Sequence, residues 1–168
     1  MLTIYDLTIP VLTRGLRVLD DYMDKAEAHA GARKIEPAVL INARLAPDMA
    51  PLSGQVQRAS DTAKASAWRL TGKAAPSFPD TETTFGELRK RIANTIDFLA
   101  SVPPAAFDGA EKRQIEMKFH TGPKIFSADE YLTKFMSPNF FFHVATAHGI
   151  LRHNGVEIGK MDYLGVAG

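Results

Sequence analysis

The sequence has no cysteine among its 168 residues, so disulfide scaffolds, thiolate metal sites and a cysteine nucleophile are all excluded. Any thiol chemistry would need a thiol supplied by the substrate. No run approaches the roughly 20 consecutive apolar residues that span a bilayer, which argues against a membrane partner. The opening residues Met1-Leu-Thr-Ile-Tyr-Asp6 lack the basic and apolar regions of a signal peptide, so a bacterial cytoplasmic protein is the expectation. An excess of one charge is also missing. A net charge of +1 and a pI near 8.0 give no field for nucleic acid, and Arg89, Lys90 and Arg91 read as a solvated helix face. Gly-x-Ser-x-Gly, His-Glu-x-x-His, the P-loop and the dinucleotide fingerprint do not occur, so the common hydrolase, zinc protease, nucleotidase and dehydrogenase readings lack their anchors. What remains is 45% hydrophobic and 23% charged, the make-up of one globular domain over residues 1–168 with a substantial core.

Apolar residues recur at helical spacing in four places. Leu12, Leu16, Leu19, Met23 and Ala26 mark a helix over about residues 3–29, with Pro10 kinking it or marking its first turn. A connector with three prolines follows over 35–51, leaving room for a short turn near 38–43. Leu52, Val56, Ala59, Ala63 and Leu70 form the second stripe, ending before Gly72. After a loop over 74–83, Thr84-Phe-Gly-Glu87 has the form of a capping box, and Phe85, Leu88, Ile92, Ile96 and Leu99 continue a third helix that Pro103-Pro104 stops. The period then becomes two, with Ile115, Met117 and Phe119 alternating with charge and Thr121-Gly-Pro turning the chain, so a small hairpin is predicted over 115–126. A second capping box, Ser127-Ala-Asp-Glu130, opens the last and most apolar helix over about 128–153, with Leu132, Phe135, Met136, Phe142 and His143 along its broad face. Pro138 should kink it just before Asn139. The pattern predicts an all-α four-helix bundle with a small β-hairpin before the last helix. Glu82, Glu87, Asp129 and Glu130 read as helix-start residues rather than catalytic carboxylates.

Asn139-Phe-Phe-Phe-His143 sets an amide and an imidazole one helical turn apart in an apolar segment, where they can converge on a ligand, a metal or a partner helix. His148 and His153 follow at steps of five, which turns each well off the previous face, so the three cannot chelate one ion from a regular helix. His148 is expected at the surface, a rim or a subunit contact, and His153 near the helix C-terminus. Trp68 lies off the second stripe, where a pocket mouth, a dimer face and plain packing all stay open. Phe140 and Phe141 beside Phe142 exceed what one bundle seam uses, so a homodimer is expected.

The last helix and its tail, Phe142-His-Val-Ala-Thr-Ala-His-Gly-Ile-Leu-Arg152-His-Asn-Gly-Val156, then Glu-Ile-Gly159-Lys-Met-Asp162-Tyr-Leu-Gly165, resemble the DinB/YfiT-like four-helix-bundle superfamily, in an uncharacterised bacterial domain-of-unknown-function branch. The resemblance extends to Leu45-Ala-Pro-Asp-Met-Ala-Pro-Leu52 with Gln55-Val-Gln57. It implies a crossover between the second and third helices. It also implies a divalent metal held by three histidines, one on the second helix and two at His-x-x-x-His on the last, and chemistry that uses low-molecular-weight thiols. His143 matches the second histidine of that pair and Asn139 stands in place of the first. No histidine occurs between His29 and His120, so the second helix offers Gln55, Gln57 or Asp61. Amide oxygens are weak ligands beside imidazole, so no tightly bound metal is expected, with His143 as the residual ligand for a weak divalent ion.

Two readings stay open. In one, Asn139, His143, Gln55, Gln57, Asp61 and Trp68 belong to a small-molecule-binding bundle with a degenerate metal site, its polar groups satisfying one another in the core. In the other, His143 is a catalytic acid, base or ligand of a metal- or thiol-dependent transferase or isomerase.

Overall fold

The computed structural model describes residues 2–166. Helix α1 spans Ile4–Arg33, α2 Pro37–Ile41, α3 Leu52–Thr71 and α4 Phe85–Ala100. Strands β1 (Gln114–Phe119) and β2 (Gly122–Ser127) follow, then α5 (Ala128–Glu130), a π-helical stretch (Tyr131–Met136), α6 (Ser137–His153) and α7 (Lys160–Leu164).

Four long helices thus carry the fold, and each buries its apolar stripe. Leu12, Leu16, Leu19, Met23 and Ala26 of α1 are fully buried against Leu52, Val56, Ala59, Ala63 and Leu70 of α3 and Leu88, Ile92 and Leu99 of α4. Helix α1 runs past Gly31, because the αL residue that ends it is Lys34 at φ 54°, whose N–H returns to the Ala30 and Gly31 carbonyls. Pro10 stays inside the helix on its exposed side, where a carbonyl without an intrahelical partner reaches water. The predicted capping box at Thr84 with Glu87 forms and another closes at Thr3 with Asp6, whereas at Ser127 only the half in which Glu130 accepts from the Ser127 N–H is made.

Cross-helix contacts give the directions. Asn139 meets Thr62 while His143 meets Gln55, so α6 runs antiparallel to α3. Gly15 lies against Phe140 and Tyr22 against His148, so α6 runs parallel to α1. Arg91 bonds Asp61 whereas Lys73, just beyond α3, reaches Ser101, just beyond α4, so those two helices are parallel. Parallel neighbours require a crossover. The segment 72–84 provides it by returning along α3, its Pro76 carbonyl on Lys64 and its Glu82 on Gln57.

The hairpin pairs Ile115 with Phe126 and Phe119 with Gly122, leaving His120 and Thr121 as a two-residue turn. Ile115 and Met117 face the core. The last helix is continuous from Ala128 to His153 but not uniform. Pro138 has no N–H and its ring would collide with the carbonyl four residues back, at Lys134, and the wide π turns at 131–136 relieve that collision. Phe142 departs from the predicted apolar stripe, being 54% exposed, while Phe140 is fully buried against Gly15 and Phe141 is half-buried. The exposed phenylalanine cluster expected there reduces to Phe142. No described helix is long and apolar enough to cross a membrane.

Candidate functional site

His143 sits at the seam between α6 and α3, 9% exposed. Its Nδ1 is 2.8 Å from Gln55 Oε1, and Gln55 Nε2 donates to the Ala50 carbonyl at 2.9 Å. A carbonyl only accepts, so the Gln55 amide has one orientation, its oxygen accepts, and His143 must carry its proton on Nδ1. Nε2 is left as a bare lone pair. It has no partner among the described residues and is not sealed from solvent. Burial, and secondarily the Arg58 guanidinium, pull the His143 pKa down from 6.5 to about 4, so the imidazole is neutral at pH 7.

Asn139 is fixed by the same logic. Thr62 donates its hydroxyl to the Arg58 carbonyl at 2.7 Å and so accepts from Asn139 Nδ2 at 2.8 Å. The Asn139 oxygen is thereby turned away from α3. The site consists of a neutral imidazole with a free Nε2, an amide oxygen one turn away, and the exposed Arg58 cation.

Of the second-helix candidates, Gln55 alone joins His143. Relative to Gln55, residues 58 and 62 lie within about 60° around the helix axis, whereas 57 and 61 are displaced by about 200° and 240°. Gln57 therefore faces the other way and donates to Glu82 at 2.9 Å, and Asp61 pairs with Arg91 and Lys64 at 2.8 and 3.0 Å. Trp68 stands about 20 Å further along α3 than Gln55, at 1.5 Å per residue, and is 48% exposed beside a different cleft. The predicted site thus divides into three places. Arg58 and Thr62 were missed, and the signal for them was the register of Gln55 itself.

Arg91 corrects a second expectation. It is 3% exposed rather than solvated and binds Asp61, Asp80 and Glu82 at 2.8 to 3.0 Å together with the Pro79 carbonyl. Glu82 is accordingly a half-buried partner of Arg91 on the crossover segment rather than a helix-start residue. Burial raises its pKa, but hydrogen bonds from Arg91 and Gln57 outweigh that and hold it below the ordinary value. His148 is likewise half-buried, its Nδ1 2.7 Å from the hydroxyl of fully buried Tyr22.

Among the described residues no three histidine or carboxylate side chains come together as a metal set. At His143 the donors are one imidazole lone pair and one neutral amide oxygen, with a guanidinium close enough to lower the histidine's proton affinity. That set does not fit a tightly held divalent cation, since a cation would meet weak donors and a like charge.

The up-down-down-up bundle with its long crossover and pre-helix hairpin is the DinB-like fold. A crystal structure of a DinB family member protein from Shewanella denitrificans superposes with a TM-score of 0.89 at 46% identity, covering 95% of this chain and 90% of that one. Residues 4–164 match the model of the family described as Domain of unknown function (DUF1993), and the chain belongs to that family. No curated protein matches it.

Proposed function

We propose that this DUF1993 member binds a small molecule at the α3–α6 seam, over a degenerate metal position where His143 is the remaining imidazole. The observation that carries this is the chain from the Ala50 carbonyl through Gln55 to His143, which holds Nε2 as an unprotonated acceptor at neutral pH. A ligand suited to it donates a hydroxyl or amide proton to Nε2 and places an anionic or acceptor group toward Arg58.

The test uses nitrogen NMR of the His143 ring with glycolate, which carries both groups, as the probe. The Nδ1–H tautomer and a saturable shift of Nε2 are expected. An Nε2–H tautomer, or no shift up to about 50 mM glycolate, beyond the range of useful small-molecule affinities, overturns the reading. Zinc provides the second arm. After dialysis the native protein should hold no stoichiometric zinc, whereas Asn139→His with Gln55→His should bind it roughly 100-fold or more tightly, because imidazoles replace amides. Near-unit zinc on His143 in the native protein would replace this proposal with a metalloenzyme.

A further inference from the structure

The cleft at the far end of α3 is built from a different chemistry. It has a volume of about 510 Å³ and lies between Trp68, Arg69 and Gly72 on one side and β1 on the other. Residues 114–118 border it consecutively, so the unpaired edge of β1 faces it rather than one side of the hairpin. The chain's one tryptophan is here, half exposed, so its ring reaches both the cleft and solvent.

Two guanidiniums flank it. Arg69 lies 5.5 Å from the Trp68 ring centroid and 5.9 Å from that of Tyr131, with one long contact of 3.5 Å to the Tyr131 hydroxyl. Arg113 donates one nitrogen to the Thr71 carbonyl at 3.0 Å, which anchors it over the end of α3. Gly72 adopts φ +79°, a left-handed conformation that side chains rarely take, so the turn beside Arg113 calls for glycine. Neither guanidinium has a carboxylate within 4 Å among the described residues, whereas Arg89 and Arg91 are both paired with acids. Lys118 adds a third cation to the rim against the single carboxylate of Glu116.

We propose that this cleft is a binding site for a planar aromatic anion, its ring stacked on Trp68 and its carboxylate or phosphate held by Arg69 and Arg113. Guanidiniums donate to such oxygens through a bidentate N–H fork, and the indole face supplies contact area that tolerates many ring systems. The site is independent of His143.

The experiment follows the single indole N–H resonance of Trp68 by NMR while 2-naphthoate is titrated into the full chain, with 2-naphthyl phosphate, neutral 2-naphthamide and acetate in parallel. The naphthyl anions should bind with Kd at or below about 1 mM, the scale a ligand of that size reaches. Which of the two is tighter identifies the headgroup. The amide and acetate should each bind about tenfold more weakly or worse, having lost the charge or the ring. Arg113→Gln, at an exposed position, should weaken naphthoate by about tenfold with the melting temperature unchanged, and Trp68→Ala, read by calorimetry, should do the same. Arg69→Gln is a second probe, used if it remains folded by circular dichroism. The proposal falls if naphthoate leaves the indole resonance unmoved, if the amide binds as well as the anion, or if Arg113→Gln binds like the native chain.

Discussion

Burying an imidazole beside a guanidinium lowers its affinity for a proton, and at His143 this has a readable sign. The folded midpoint near 4 lies below the ordinary value of 6.5, so as pH falls the unfolded chain takes the proton first. Stability contributed by His143 is complete above about pH 6.5 and lost progressively down to about pH 4, by up to about 3 kcal/mol. His148, lowered chiefly by burial, acts in the same direction. Ring resonances followed by NMR separate the two, and a His143 midpoint near 6.5 would show that neither burial nor Arg58 governs the ring. Arg91 supplies the second expectation at this scale. Arg91→Met leaves half-buried Glu82 without its cation and should cost about 1 to 3 kcal/mol in urea denaturation, with faster hydrogen exchange over residues 73–83. Unchanged exchange there would mean that the crossover segment does not depend on the arginine. The one buried polar atom without a partner among the described residues is the Arg91 Nε, so this guanidinium is under-satisfied as well as buried.

Between helices the tightest approach is at Gly15, where a Cβ would lie 2.3 Å from an edge carbon of Phe140. Phe140 is fully buried and has little room to retreat. Gly15→Ala, which raises helix propensity, should therefore destabilise by about 1 to 3 kcal/mol instead of stabilising, and thermal unfolding measures it. A raised melting temperature would show that α1 and α6 can separate. The long helices were legible because their stripes agree with the capping signals at Thr84 and Ser127 and with the stops at Pro103 and Gly155, whereas the short α7 carried no such signals. Legibility failed where a residue's role depends on angle rather than on type. Arg91 sits in a run of basic residues that looks solvated, yet it falls on the buried side of α4 with Ile92 and Thr95. Gln57 and Asp61 were grouped with Gln55 by proximity in sequence, although a turn of about 200° or more separates them from it. Tyr22 and His148 lie outside the stripes legible in the sequence, and neither hinted at the other. Their contact depends on α1 and α6 being parallel, which no local pattern encodes.

For the whole molecule, the neutral imidazole, the arginine clamp and the tryptophan cleft occupy separate regions of one bundle. Family membership gives them a common frame without assigning any a reaction. The expectation of a homodimer now rests on a narrower base, since Phe140 has gone into the core and Phe142 remains exposed together with Leu45 and Val39. If α6 is the contact face, light scattering should give a dimer at micromolar concentration and Phe142→Asp should return a monomer of unchanged helicity. A native monomer would instead assign Phe142 to the edge-on contact it already makes with the His143 ring, 5.4 Å between centroids.

The wide turn at Tyr131–Met136 sets the phase between the two halves of the last long helix. Each residue advances an α-helix by about 100°, so losing one codon within those six would restore regular winding while rotating Asn139 and His143 off Thr62 and Gln55 relative to Tyr131. The same loss among the exposed residues of the crossover would leave that alignment alone. Tolerance to length change is therefore lopsided along this chain: a six-residue stretch that meets α3 through Tyr131, well away from His143, works as the vernier for the imidazole.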